Sequence, residues 1–174
     1  MSEERTGLLF RKTDYAGMAT RVFIDAIDFL VIGVVGLGGF FILAFFVQEG
    51  RIHSLFFLLW LVLGFAYLGP WKATGIPTVG YRVFGVKLVN AQGKTVDFWQ
   101  ASGRALFLFI GPINYLIDLF WLYGETPRQA LRDKFNGTYL VKKTAEVEAR
   151  GRLVSRILHV MGYRVRVEEI ERSG

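Results

Sequence analysis

The sequence contains no cysteine and only two histidines among its 174 residues. The absence of cysteine excludes disulfide bonds, thiolate metal sites and a cysteine nucleophile. His53 and His159 are too isolated to indicate a metal site. No Ser–His–Asp arrangement, phosphate-binding glycine loop or set of paired metal ligands occurs in the sequence either. We therefore expect neither an enzyme nor a bound cofactor.

Charged residues are missing from two long stretches of the chain. Residues 29–47 form a run of 19 without a charge, and residues 54–71 form a second run of 18. At 1.5 Å per helical residue each run covers roughly 27–28 Å, close to the ~30 Å hydrocarbon core of a bilayer. The sequence therefore predicts two membrane-spanning helices, at about residues 21–47 and 54–71. The first run lacks a small-residue cleavage pattern, so we expect it to be an uncleaved anchor.

A third apolar segment, residues 105–123, contains Gly111 and Pro112 near its middle. Its length suffices for a third span. Because proline removes a helix hydrogen bond and kinks the helix, a re-entrant or interfacial hairpin is the alternative, provided that other parts of the protein cover its irregular backbone. The predicted fold class is an all-α integral membrane bundle with two spanning helices and this third segment, which either spans or bends back.

Residues 83–97 are predicted to form a small cytoplasmic β-hairpin. Apolar residues surround Lys87, and the sequence NAQG at 90–93 supplies a turn. Asp97 is expected to cap the helix that begins at Phe98.

The chain is divided into an N-terminal segment (1–18), a membrane domain (19–142) and a basic soluble tail (143–174). In the tail, apolar residues recur at helical spacing among arginines, which predicts an amphipathic helix on the membrane or on a partner. These apolar residues are Leu153, Ile157, Leu158 and Met161.

Basic residues are distributed unevenly around the apolar segments. Of the 21 Lys and Arg, four lie at or before Arg21, five lie in 72–104 and eleven lie from Arg128 onward, whereas the first connection carries only Arg51. Because cytoplasmic loops carry an excess of basic residues, we expect a cytoplasmic N-terminus. If the third segment bends back, the C-terminus is cytoplasmic as well. The predicted location is the cytoplasmic membrane, with a multi-pass topology.

The net charge of +6 would suggest nucleic-acid binding in a soluble protein. Next to apolar spans, basic residues instead meet anionic lipids at the cytoplasmic face. The expected partners are therefore the bilayer and either a second copy or another membrane protein, and nucleic acid is not expected.

Three charged residues lie on one face at the start of the first predicted helix. Arg21, Asp25 and Asp28 are spaced i, i+4 and i+7. Ionisable groups in a membrane usually face a partner or a wet cavity, so the two carboxylates are candidates for a cation or proton site balanced by the arginine. Alternatively, all three lie at the cytoplasmic interface, where the acids favour the N-terminal end of the helix dipole.

Asn114 and Asp118 lie four residues apart inside the third apolar segment. An aspartate at that depth is a candidate ion-handling site. The alternative is that Asp118 has a structural role and forms a hydrogen bond or ion pair within the protein. Its partner would then be Asn114, a backbone amide freed by Pro112, or Arg104.

Four blocks of the sequence, in order, resemble the RDD family of membrane proteins. They are ATRVFIDAID at 19–28, TVGYRVFGVK at 78–87, FWQASGR at 98–104 and RQALRDKFNGT at 128–138. The resemblance covers about residues 15–142. It implies that Arg21 and Asp28 occupy the hallmark positions of the first helix and that Asp133 is the second hallmark aspartate. It also implies a multi-span membrane domain, for whose members cation/proton antiport has been proposed.

Two residues depart from the family pattern. Arg132 stands where a histidine or glycine is common, and Asp25 is an additional acid on the first helix. Asp133 is expected at the cytoplasmic interface, where an ion pair with Arg21 would act as a structural staple or as a gate.

Two classes of function follow. The first is an accessory or scaffold subunit of the cytoplasmic membrane, because two or three spans are few for an independent conduction path. The alternative is an oligomeric cation/proton transporter that uses the intramembrane carboxylates.

Overall fold

The computed structural model describes residues 6–46, 52–109, 112–122, 129–160 and 163–172. The described chain contains six α-helices, five β-strands and two 3₁₀ turns. The helices are α1 (Met18–Phe46), α2 (Ile52–Leu68), α3 (Val79–Val83), α4 (Phe98–Phe109), α5 (Pro112–Trp121) and α6 (Leu131–Phe135). The strands are β1 (Thr6–Phe10), β2 (Val86–Asn90), β3 (Thr138–Lys142), β4 (Val147–Val160) and β5 (Tyr163–Arg172), and the 3₁₀ turns are Lys12–Asp14 and Pro70–Thr74.

The two longest helices coincide with the charge-free runs. Both are long and apolar enough to cross a membrane, and only 11% and 22% of the residues in their most apolar stretches are buried. They pack against each other through the Trp60 indole, whose N–H donates to the Ile32 carbonyl at 3.0 Å, and through Phe40 and Phe56, whose ring centroids are 5.4 Å apart. A soluble monomer rarely leaves so much contiguous apolar surface uncovered. Lipid is the solvent that fits these two helices.

The described helical residues of the third apolar segment belong to two short helices, α4 and α5. α4 ends at Phe109 and α5 begins at Pro112, and the two residues between them lie outside the described chain. With 12 and 10 residues, α4 and α5 extend about 18 Å and 15 Å, less than a bilayer core. Arg104 from α4 and Asp118 from α5 both reach α6. The segment therefore doubles back, which favours the bent alternative over a straight span.

The predicted hairpin at 83–97 is wrong in its pairing. β2 forms where a strand was expected, but its antiparallel partner is β3, with Leu88 opposite Leu140. The turn after Asn90 forms, since its side chain accepts from the Gln92 and Lys94 amides at 3.0 Å. Beyond the turn the chain makes only an isolated bridge between Val89 and Thr95. β3 has the same length as β2, and four of its five residues are buried, so pairing with β3 covers β2 with apolar surface along its whole length.

The amphipathic helix predicted for the C-terminal tail is also wrong. β4 and β5 are two long antiparallel strands, and β1 pairs with β4 to give a three-stranded sheet in the order β1-β4-β5. Short apolar runs fit helix and strand templates equally well, and alternation in Arg164-Val165-Arg166-Val167 marks a strand. Because β1 belongs to the segment 1–18, the first and last parts of the chain form one sheet.

The two sheets and the membrane helices meet at one end of α1. The Leu8 amide donates to the Ala91 carbonyl at 2.8 Å, which joins β1 to the turn after β2. The Ala16 amide donates to the Leu140 carbonyl at 2.9 Å, which joins the start of α1 to β3. Consequently the β2–β3 sheet lies beside the first turn of α1, and the three-stranded sheet adjoins the β2–β3 sheet through β1.

Candidate functional site: a buried charge cluster

The short helix α6 is the centre of a buried cluster of charges. Four of its five residues are buried, including Arg132, Asp133 and Lys134. Its N-cap residue, Ala130, has no side chain that can accept from the first free amides. Asp118 from α5 replaces the missing cap, because its Oδ1 accepts from the Arg132 amide at 2.7 Å.

Arg132 binds two carboxylates from two other helices. Its Nη2 lies 2.8 Å from Asp25 Oδ2 on α1, and its Nε lies 3.1 Å from Asp118 Oδ2 on α5. We call Asp25, Arg132 and Asp118 the acidic triad. Burial opposes the charge on Arg132, but Asp25 and then Asp118 outweigh burial and raise the pKa of its guanidinium above the ordinary value. Arg132 is therefore a permanent cation that holds α1, α5 and α6 together.

Asp133 makes the reverse arrangement, one carboxylate between two arginines. Its Oδ2 is 2.5 Å from Arg21 Nη1 on α1, and its Oδ1 contacts Arg104 Nη1 on α4. We call Arg21, Asp133 and Arg104 the basic triad. Arg21 also donates from Nε to the Ala16 carbonyl at 3.1 Å, and Arg104 donates to the Thr138 hydroxyl at 2.9 Å. The ion pair expected between Arg21 and Asp133 is present.

The two triads neutralise each other. One carries a formal charge of −1 and the other +1, and none of the six side chains is more than 5% exposed. Removing such charges from water costs several kcal/mol per ion, and good partner geometry is needed to offset that cost. The cluster is therefore stable as a complete set and is expected to be sensitive to the loss of any one member.

Asp28 is buried near the triads but is held by uncharged donors. Its Oδ2 accepts from the Thr78 hydroxyl at 2.7 Å, and its Oδ1 accepts from the Gly80 amide at 2.8 Å and from the Tyr67 hydroxyl at 3.2 Å. A Cβ on Gly80 would lie 2.6 Å from the Ile24 carbonyl, so glycine permits the close approach of α3 to α1. Asp28 thereby fixes α1, α2 and α3 relative to one another.

The sequence-predicted residues thus belong to one region. Arg21, Asp25, Asp118 and Asp133 lie in the triads, and Asp28 lies beside them. Asn114 is in α5, but its side chain lies outside the described part of the structure, so its expected bond to Asp118 is not described. The expected alternative of a bond from Asp118 to Arg104 is wrong, because Arg104 contacts Asp133 and Asp118 contacts Arg132.

Two arginines of the cluster were not among the predicted site residues. The position of Arg104 could have indicated a role, since it directly precedes an apolar segment where a lone charge needs a partner. Arg132 could have been singled out because it departs from the family pattern. Neither signal identifies the partner carboxylate, which only the fold brings close.

The described residues contain no group of three or more His, Asp or Glu placed to hold a metal ion. In the triads each carboxylate already has an arginine. The arrangement can therefore hold helices together through ion pairs, although Asp118 Oδ2 and Asp133 Oδ1 accept no hydrogen bond beyond those ion-pair contacts.

Two apolar helices of membrane length, joined at one end to a buried and neutral charge cluster, fit a membrane protein. The sequence model of the RDD family matches residues 15–137, which include both candidate spans and the whole cluster. The chain belongs to the RDD family. No curated protein and no solved structure gave a match.

Proposed function

We propose that this protein is a non-enzymatic accessory or scaffold subunit of the cytoplasmic membrane. The observation that carries the proposal is the state of its buried acids. Asp25, Asp118 and Asp133 are each held by an arginine, and Asp28 accepts three hydrogen bonds. A transport site must exchange its ion with water on both sides, whereas these groups hold α1 to α6 in one arrangement.

Both ends of the chain face the cytoplasm in this proposal. α1 and α2 are consecutive and packed together, so the start of α1 and the end of α2 lie on one side if both helices cross the bilayer. The strands β1 and β4 pair with each other at that side. The excess of Lys and Arg outside the connection near Arg51 supports the cytoplasm as that side.

The β4–β5 strand pair is the proposed docking element for a partner. It lies beyond the residues that the family shares, and it is fastened to the charge cluster by an ion pair between Lys134 on α6 and Glu169 on β5, at 2.7 Å. Ile157 on β4 is 63% exposed, which leaves an apolar contact point on this surface. Replacing Ile157 by Lys is expected to abolish co-purification of the partner while the protein still inserts in the membrane.

An oligomeric cation/proton transporter is the second candidate, and Asp28 is the residue that favours it. Within the described chain, the buried carboxylate of Asp28 accepts from the neutral donors Thr78, Gly80 and Tyr67, so a cation or proton would complete its charge balance. This candidate requires that Thr78 and Gly80 release Asp28 during transport.

Reconstitution into liposomes with a pH-sensitive dye separates the two candidates. The scaffold proposal predicts no Na⁺- or K⁺-dependent proton movement in liposomes of the wild-type protein, and monensin added afterwards shows that the vesicles are sealed. A cation-dependent signal that is lost in Asp28→Asn, with the folded protein still present, would reverse the order of the two candidates.

A further inference from the structure

A cavity of about 350 Å³ lies next to the charge cluster and is lined by basic residues without an acid. It is formed between the 3₁₀ turn that follows α2 and the strand β2. Lys72, Lys87 and Lys143 all line it, and none of its twelve lining residues is an aspartate or glutamate. Three like charges around one cavity repel one another, and a bound anion would offset that repulsion.

Lys72 is the residue that distinguishes this cavity from a solvated basic surface. It is only 7% exposed, and its positive charge acts on the carboxylate of Asp25 in the acidic triad. Its Nζ lies over the face of the Tyr81 ring, 4.7 Å from the centroid. An ammonium is rarely buried without a counter-charge. Because Asp25 is paired directly with Arg132, an anion bound in the cavity would give Lys72 a partner of its own.

The neighbouring Tyr81 is affected by the same positive charges. Burial alone would raise the pKa of the Tyr81 hydroxyl, but Lys72, and after it Arg104 and Arg132, lower that pKa below the ordinary value. Tyr81 also lines the cavity. An anion inside it would therefore meet a field set by both the lysines and the edge of the charge cluster.

The place of the cavity in the fold identifies the source of the anion. Its lining includes Ile76, which is 49% exposed, and Trp71 in the adjoining turn is 44% exposed. Both follow directly from the end of α2, one of the two candidate spans. Exposed tryptophan at the end of a span is typical of the headgroup level of a bilayer, where lipid phosphates are found.

We propose that this cavity binds the phosphate of an anionic phospholipid headgroup, with Lys72 as the buried counter-ion and Lys87 and Lys143 at its sides. The proposal shares with the proposed function only the location in a membrane. It holds whether the protein is a scaffold or a transporter, so the liposome flux result does not decide it.

The test uses the purified protein, stripped of lipid in dodecyl maltoside. Phosphatidic acid, phosphatidylcholine or inorganic phosphate is added in separate titrations, and native mass spectrometry measures the fraction of protein with the ligand bound. Lys72→Met keeps the aliphatic stem and removes the charge. Lys94→Met is the matched control, because Lys94 is an exposed lysine of the same region that does not line the cavity. Lys143→Gln is a second variant at an exposed position, where folding is not at risk.

We expect phosphatidic acid to bind the wild type and Lys94→Met equally. A hydrogen bond to a charged group contributes enough that its loss weakens binding roughly tenfold to a hundredfold, which we expect for Lys72→Met, with a smaller loss for Lys143→Gln. Equal affinity of Lys72→Met and Lys94→Met would overturn the proposal. So would equal binding of phosphatidylcholine, and binding of inorganic phosphate without phosphatidic acid would overturn the assignment to a lipid.

Discussion

Replacing Asp133 by Asn removes the only carboxylate of the basic triad while leaving the shape of the side chain almost unchanged. The fully buried Arg21 and the nearly buried Arg104 then face an amide that accepts at one oxygen and repels cations with its NH₂ group. The change isolates the contribution of charge from that of packing.

The expected loss follows from the burial of the pair. Removing one partner of a buried ion pair costs about 3–5 kcal/mol, because the other charge stays in a medium that solvates it poorly. Two arginines lose their partner here, so we expect a value within that range rather than below it. The total stability of a folded domain is on the order of 5–15 kcal/mol, and the variant should be strongly destabilised.

The free energy of unfolding is measured in dodecyl maltoside micelles by adding SDS, with tryptophan fluorescence as the readout. Glu146→Gln is the matched control, because Glu146 pairs with Arg11 at 2.8 Å but both side chains are more than 60% exposed. An exposed pair contributes at most about 1 kcal/mol. If Asp133→Asn destabilises no more than Glu146→Gln, the cluster does not hold the helices together and the reasoning is refuted.

Two further predictions concern helix packing and orientation. Gly80→Ala should destabilise the protein by about 1–3 kcal/mol in the same assay, because the new Cβ would lie 2.6 Å from the Ile24 carbonyl. Gly38→Ala is the control and should be neutral or stabilising, because a Cβ there would meet no atom within 4 Å. Equal effects of the two substitutions would contradict the close contact of α1 and α3. Because the chain has no cysteine, single cysteines at the exposed Ser54 and Ser155 report topology with an impermeant maleimide in intact cells. Ser54→Cys should be labelled and Ser155→Cys protected until the cells are opened, and labelling of Ser155→Cys from outside would contradict a cytoplasmic tail.

The two long apolar helices were predictable from the sequence. A long run without charged residues depends on local composition alone, so the runs at 29–47 and 54–71 indicate the apolar parts of α1 and α2 directly. The ion pair of Arg21 with Asp133 was also predictable, because the family resemblance singles out both residues and buried charges need partners.

The two departures from the family pattern turned out to be partners. Asp25 is the additional acid on the first helix and Arg132 is the additional base before Asp133, and they are 2.8 Å apart. Each alone would be a costly buried charge, so their presence together has a physical reason. A sequence without the fold shows both residues but not the contact, since 107 positions separate them.

The pairing of strands was not predictable, because partners are chosen by the whole fold. β2 lies close in sequence to a turn, which favours a local hairpin, yet β3 offers the larger buried surface. The tail was misinterpreted for a related reason. Leu153, Ile157 and Leu158 fit a helical period over a few residues, but pairing with β1 on one side and β5 on the other decides in favour of a strand.

We expect that the protein's own groups occupy the buried acids of the described chain and that no cation binds among them. A bound ion stabilises the folded state, by about 2.7 kcal/mol at a hundred times its dissociation constant. Thermal unfolding of the protein in micelles, compared in NaCl, KCl and choline chloride at equal ionic strength, tests the claim most directly. We predict the same midpoint in all three salts; a midpoint raised by Na⁺ or K⁺ alone, and no longer raised in Asp28→Asn, would contradict it.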